Sequence, residues 1–409
     1  MAQDQAPASA FHAGHRVVSI DVFRGLTILA MIFVNDLAGM KDIPGWMKHY
    51  PADGDGMTFV DVVFPAFLFI VGMAIPFALR RRLERGDSAA RLGSHILVRT
   101  LGLLVIGVFM VNMGGLNPEA TGMSRALWTF LVFVSVILVW NAYPKSSGRR
   151  PWIFHALRAA GAAGLILLAA LYRGGAGEQL HWMRTSWWGI LGLIGWAYLT
   201  SCVAYLLFRR QMAAMMGVLG LLILLYMGDK SGALDWLPFI RRYLWLGGQI
   251  GGHSSITVAG IIVSMLFFEH SPAPTPGKRI VWILVFALGL SVAGSLLDPL
   301  YGINKNAATP AWCLYCSAIC CVIYVFLYWL MDLQGITRWS FFVGPAGANP
   351  LLAYILPSIF YSFLSIVGIE YLRHHLNSGG VAIARSVVFA LAIVGLTGLL
   401  GRLGIRLRL

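Results

Sequence analysis

His49 is the side chain best suited to move a proton near neutral pH, because an unperturbed imidazole titrates at about 6.5. It stands in Gly45-Trp46-Met47-Lys48-His49-Tyr50, a loop between two apolar tracts. Asn35 and Asp36 close the first tract, and Gly56-Met57-Thr58-Phe59-Val60-Asp61-Val62-Val63-Phe64-Pro65 opens the second. Asp61 lies inside that tract, where a carboxylate needs a partner. Pro65 leaves a backbone carbonyl free nearby. An imidazole, an amide and a carboxylate can thus converge where the two tracts meet. Such a set can take a proton from a nucleophile and steady a developing oxyanion. A loop histidine beside two helix-capping carboxylates fits the same residues, and residue types alone leave both readings open.

Two other clusters carry charge. Asp21 and Arg24, in Ser19-Ile20-Asp21-Val22-Phe23-Arg24-Gly25, are three apart and can pair along a helix face. Ionisable groups at a membrane helix end are functional candidates, and a helix-start carboxylate beside an arginine reaching for the interface fits equally. Asp298-Pro299-Leu300-Tyr301-Gly302-Ile303-Asn304-Lys305-Asn306 sets a cation between two amides. An ordinary polar loop with an interfacial lysine also satisfies that pattern. Of the five cysteines, Cys313, Cys316, Cys320 and Cys321 share one apolar tract. Cys313 and Cys316 have zinc-like spacing. No loop Cys or His motif partners them, so a packing face and no metal are expected.

These residues must be positioned by a membrane. The chain is 58% hydrophobic and 12% charged over 409 residues, about half the charge of a soluble domain. Its apolar residues run in tracts of span length without strand-like alternation, which favours helices over a barrel. We place spans at 17–37, 59–79, 97–113, 125–141, 152–171, 186–208, 212–227, 254–269, 280–297, 311–331, 345–367 and 381–400, an all-α polytopic bundle of about twelve helices. Residues 1–16 read as a disordered tail, and 17–409 as one transmembrane domain in which 125–171 is an inserted hairpin. No cleavable signal is evident, so the first tract reads as a retained span.

The net charge of +14 comes from short loops between spans rather than from a nucleic-acid-binding face, so no nucleic acid is expected. With the N-terminus inside, the inner loops hold Arg80, Arg81, Arg82, Arg85 and Arg91, then Lys145, Arg149 and Arg150, then Arg209 and Arg210, then Lys278, Arg279 and Arg338, and last Arg402, Arg406 and Arg408. The outer loops hold fewer, among them Lys305 and Arg373. Both termini are therefore expected in the cytoplasm. The outer loops instead hold unusual polar residues, including Asp36, His49, Asp55, His253 and Asn304, which puts any chemistry at the outer face.

Together these segments resemble the heparan-α-glucosaminide N-acetyltransferase family of transmembrane acetyltransferases. The resemblance rests on Asp21 to Gly25, Val34-Asn35, Lys48-His49, Gly56-Met57-Thr58, Asp61 to Pro65, Ile303 to Asn306, and Pro345 to Tyr354 with Asn349. It is strong over 17–80 and fair over 254–365. Two departures stand out: Gly251-Gly252-His253 replaces a P-E-G, and Gly192-Leu193 replaces a Q-R pair. Both touch regions expected to meet the acyl donor or the sugar.

The resemblance implies transfer of an acetyl group from acetyl-CoA to the amine of a glucosamine-type sugar at the outer face. It implies His49, Asn35 and Asp61 as catalytic residues, with Asp36 an alternative partner for the imidazole. Arg24, Arg99, Asn304, Lys305 and Asn306 are the candidates for CoA, and Asp36, His253 and Asn349 for the sugar. Whether His49 acts as a base or carries the acetyl group stays open. Lipid, CoA and an amino sugar are the expected partners, with a second copy of the chain compatible, and a bacterial inner membrane is the expected location. A sugar or peptidoglycan-fragment transporter is the alternative reading of the same bundle.

Overall fold

A computed structural model of the protein describes residues 17–144, 152–177, 179–187, 189–269 and 271–409. The expected disordered tail 1–16 and the loop cations Lys145, Arg149 and Arg150 fall outside the described residues, as does the side chain of Arg373. Every apolar tract folds as helix: α1 Val18–Leu37, α2 Val60–Glu84, α3 Ala89–Asn112, α4 Arg125–Trp140, α5 Trp152–Leu171, α6 Ile190–Phe208, α7 Met212–Lys230, α8 His253–Met265, α9 Pro276–Tyr301, α10 Pro310–Leu327, α11 Pro350–Ile366 and α12 Gly379–Arg402. Among the described residues, nine helices are long and apolar enough to cross a membrane. α4 and α11 are apolar but shorter, and α8 continues a π-helical segment, Leu246–Gly252. The protein is an integral membrane protein with an all-helical fold.

The exposed surface is apolar where lipid would lie. On α9, Val285, Leu288 and Leu296 are 63%, 65% and 71% exposed, a face that no soluble bundle would leave wet. The hairpin α4–α5 is tied by Trp128, whose indole N–H donates to the Leu168 carbonyl at 3.1 Å, and it leans on α11 through α4.

Close helix approach at the centre is made by glycine. α2 and α8 cross where a Cβ on Gly72 would lie 1.8 Å from the Thr257 carbonyl oxygen, and one on Gly260 would lie 2.0 Å from that of Phe69. α1 uses the same device against the short helix Gly344–Ala348. A Cβ on Gly25 would meet the Val343 oxygen at 2.5 Å, and one on Gly347 would meet the Asp21 oxygen at 2.6 Å. Small residues substitute for a hydrophobic driving force that lipid cannot supply. Gly25 and Gly347 belong to two of the sequence motifs, and their spacing there is a packing requirement.

The start of α1 is capped from far away. The Asp332 carboxylate accepts the Val18 N–H at 2.9 Å and the Ser19 N–H at 3.1 Å, satisfying orphan donors of the first turn. Asp21 instead pairs with Arg24 at 3.1 Å. Val17, Arg402 and Arg406 line one cavity, so both ends of the described chain lie at one end of the bundle, here called the basic end.

Because Gly72 meets backbone, no side-chain rotation can relieve a larger residue there. Gly72→Leu is expected to abolish the monodisperse species on size exclusion in detergent. Gly217→Leu, at a site with nothing within 4 Å, is expected to leave it unchanged.

Candidate active site

The His49 loop, the start of α2 that it leads into, and the remote segment around Lys305 meet at the other end of the bundle, here the loop end. Asp61 sits in the first turn of α2, only 2% exposed, and its carboxylate is fully engaged. Oδ1 lies 2.7 Å from His49 Nδ1. Oδ2 accepts the N–H groups of Tyr50 and Thr58, each at 3.0 Å. The Thr58 contact lets an acid in the first turn reach back to an N–H just before the helix, in the manner of a capping box. The Thr58 hydroxyl donates to the Lys48 carbonyl at 2.7 Å, which fixes the backbone next to His49. Pro65, four residues on, removes the helix partner of Asp61's own carbonyl.

An ionised carboxylate only accepts, so Nδ1 is the donor to Asp61, and a neutral ring bonded this way keeps its lone pair on Nε2. The ring is 44% exposed and lines a cavity of about 320 Å³ with Tyr50, Asp61, Asn304, Lys305 and Asn306. Lys305 Nζ stands 2.9 Å from Nδ1 and 3.4 Å from Nε2, and 3.6 Å from Asp61 Oδ1. Burial pushes the Lys305 amine below its ordinary value, against the opposing pull of the Asp61 charge.

The segment around Lys305 is fastened to the His49 loop. Asn304 donates to the carbonyls of Ala52 at 2.8 Å and Gly54 at 3.1 Å, and accepts the Ala307 N–H at 2.8 Å. Asp55 accepts the Ile303 N–H at 2.7 Å, and the Gly56 N–H donates to the Ile303 carbonyl at 2.8 Å. Asn304 is therefore a fastener, Lys305 faces the imidazole, and Asn306 is exposed at the rim.

The other sequence candidates lie elsewhere. Asn35 is exposed and lines a second loop-end cavity of about 360 Å³ with Asp36, Tyr361 and Arg385. Asp36 is buried there. It accepts from the Tyr361 hydroxyl, from Ser386 Oγ at 2.6 Å and from Arg385 Nη2 at 3.3 Å. Asp61, and not Asp36, holds the imidazole. His253 is 4% exposed and enclosed between Phe64 and Trp312, with Nδ1 donating to the Gly248 carbonyl at 2.7 Å. Arg99 lies over the Tyr198 ring, 4.7 Å from its centroid. Cys313, Cys316, Cys320 and Cys321 are all buried in α10.

Arg24 lines a cavity of about 840 Å³ at the basic end. Arg81, Arg402, Arg406 and Arg408 share it, and among the described residues Asp21 is the one acid in its lining. The sequence had marked those four arginines only as topology signals. Arg385 was also overlooked, although an arginine inside an apolar tract is itself a signal.

A family model described as a domain of unknown function, DUF5009, matches residues 16–241. The chain belongs to this family. The DUF5009 match covers α1, α2 and the His49 loop. The chain is also similar to two curated proteins, each named heparan-alpha-glucosaminide N-acetyltransferase. The mouse protein is 31% identical over 155 residues, covering 36% of this chain and 23% of its own length. The human protein is 39% identical over 97 residues, 24% of this chain and 14% of its own. The chain thus spans less than a quarter of either relative. The resemblance seen in the motifs is therefore one of sequence over part of the chain.

The depressed Lys305 amine has a measurable consequence. Its acylation by an amine-selective reagent, followed by peptide mass spectrometry against pH, is expected to show a midpoint below the ordinary lysine value of about 10.4. Asp61 favours the ammonium, so Asp61→Asn is expected to lower that midpoint further. A wild-type midpoint at or above the ordinary value contradicts the burial described here.

Proposed function

We propose that this DUF5009 protein is a transmembrane N-acetyltransferase that moves an acetyl group from acetyl-CoA to the amine of a glucosamine-type sugar at the loop end of the bundle. The observation that carries the reading is His49, oriented by Asp61 and flanked by Lys305 in a cavity at the end opposite the arginine-lined one. The relatives' names supply the reaction class, and the site supplies groups able to perform it.

His49 Nε2, which Lys305 Nζ approaches at 3.4 Å, takes a proton from the attacking sugar ammonium, while Asp61 balances the charge that then appears on the ring. The amine nitrogen bonds to the thioester carbonyl carbon, and the carbon–sulfur bond breaks. The thiolate leaves with the proton that His49 took from the ammonium, and the nitrogen, now an amide, gives its second proton to the freed imidazole and on to water. Lys305 Nζ is positioned to stabilise the intervening oxyanion, work for which preorganised donors are effective in a dry site. We assign that role to Lys305 rather than to Asn35, which faces the neighbouring cavity.

Phosphates need cations, and guanidinium groups bind them through two parallel hydrogen bonds. The basic-end cavity offers five arginines to the nucleotide end of CoA, with Arg24 the deepest along α1. Roughly 16 Å of helix rise separates Arg24 from Asn35, a span of the order an extended pantetheine arm covers. The Arg-rich end would then face the cytoplasm, as the positive-inside rule requires of a bacterial inner-membrane protein.

His49→Ala is expected to lower acetyl transfer to glucosamine about 100-fold or more while CoA binding, read by calorimetry, stays unchanged. Purified protein that binds no CoA defeats this reading. Uptake of labelled sugar into proteoliposomes without acetyl-CoA, surviving His49→Ala, would replace it with transport.

A further inference from the structure

The arginine cavity is completed by a segment outside the helices. After α12 the chain turns and runs extended through Ile405–Leu409, and Arg406 and Arg408 both reach the cavity. This strap is held on two sides. Asn349 donates to the Ile405 carbonyl at 2.9 Å and accepts the Leu407 N–H at 3.1 Å. At the C-terminal end of α4, Asn141 Oδ1 accepts the Arg406 N–H at 2.9 Å. The Ala142 N–H donates to the Arg406 carbonyl at 2.8 Å, and the Arg408 N–H donates to the Trp140 carbonyl at 2.9 Å. Leu407 is buried, whereas Arg406 and Arg408 are exposed. Two long cationic side chains are thus carried on a backbone already fixed, which reduces the ordering cost of binding an anion.

The charge distribution selects the kind of ligand. Helix direction sets the depth of each group. α1 enters the bundle from Val18 toward Arg24, while α2 and α12 leave it toward Arg81 and Arg402. Arg24 therefore lies deep, and Arg81, Arg402, Arg406 and Arg408 gather at the mouth. Among the described residues Asp21 is the single acidic lining residue and is paired with Arg24, so it does not neutralise the mouth. Four guanidinium groups around one opening repel each other and focus a positive potential. They suit a ligand with phosphate at more than one position. Arg406 Nε is occupied by the Gly401 carbonyl at 3.2 Å, leaving its terminal nitrogens for such a group.

We infer that the strap 405–408 is a specificity element that reads a terminal phosphate monoester on the nucleotide end of the acyl carrier, in CoA the 3′-phosphate, and that Asn349 is its positioning residue. The inference rests on the function proposed above and adds which phosphate the strap recognises. It also gives Asn349 a purpose other than sugar binding: both ends of its buried amide are committed to the strap.

Calorimetry on the full chain in detergent, with CoA and with 3′-dephospho-CoA, tests this. The wild-type protein is expected to bind CoA about tenfold or more tighter than the dephospho compound, a range typical of a lost charge-assisted contact. Arg406→Gln with Arg408→Gln should bring the ratio near one by weakening CoA alone. Asn349→Ala should do the same, with dephospho-CoA affinity retained; if that variant does not fold, the double arginine variant decides. A wild-type ratio near one, or a ratio that survives the arginine changes, overturns the inference. Failure to bind either compound overturns the proposed function, and this inference with it.

Discussion

The loop end depends on one buried charge. Taking a carboxylate out of water costs several kcal/mol unless hydrogen bonds and a counter-charge replace the water. Asp61 finds them in three places: backbone N–H groups at Thr58 and Tyr50, the imidazole of His49, and the ammonium of Lys305. The partners come from two stretches of chain, the loop 49–58 and the segment around Lys305, so satisfying Asp61 fixes where those stretches lie. The loop before α2 folds back on its first turn, and the loop after α9 closes over it through Asn304 and Asp55. The imidazole orientation that chemistry needs is a by-product of satisfying that carboxylate.

The basic end follows a different rule. The cations at its mouth, Arg81, Arg402, Arg406 and Arg408, are exposed, while the deeper Arg24 pairs with Asp21. What positions them is backbone packing. Gly25 against Val343 and Gly347 against Asp21 bring α1 close to the segment that carries Asn349, and Asn349 in turn holds the terminal strap. One motif residue thus fixes a distant element at each step. The D-x-F-R-G pattern combines a helix–helix contact at Gly25 with a cavity-lining cation at Arg24, and the two need each other.

Much of this was legible in the sequence for identifiable reasons. Span-length apolar tracts dictate helices because lipid gives the backbone no other partner, and all twelve tracts are helical. Asp61 was legible because an ionisable residue in an apolar tract demands a partner, and His49 was the nearest suitable one. The i, i+3 spacing of Asp21 and Arg24 allows their pairing, and they pair at 3.1 Å. The remainder was hidden by distance along the chain. Nothing local shows that Asp332 caps α1, or that Lys305 crosses to His49 from more than two hundred positions away. Arg385 carried the same intramembrane signal as Asp61. Its partner Asp36 was read instead as part of the histidine site, because adjacency to Asn35 in sequence was taken for adjacency in function. His253 shows the converse: a polar residue expected in an outer loop is buried once a π-helical segment extends α8 beyond its predicted start.

Direct attack and passage through an acetyl-histidine differ in when the acceptor arrives, not in where the thioester must reach. In the proposed reaction the acyl carbon would lie against His49 either way, bonded to Nε2 in one case and one amine nitrogen away from it in the other. Between the two cavities, α1 presents buried Ile28, Met31 and Ile32, and α2 presents buried Leu68, Phe69 and Ile70. Backbone-to-backbone contacts lock α2 to α8 through Gly72 and Gly260, and lock α1 to 343–347 through Gly25. Such contacts have no side chain to rotate away. α1 and α2 themselves meet through side chains, with Met31 and Val34 packed beside Val60 and Val63. A path from Arg24 to His49 must therefore open along seams closed by rotatable side chains, and the α1–α2 seam runs from one site to the other. The same pair of helices that fixes both sites in space then governs communication between them.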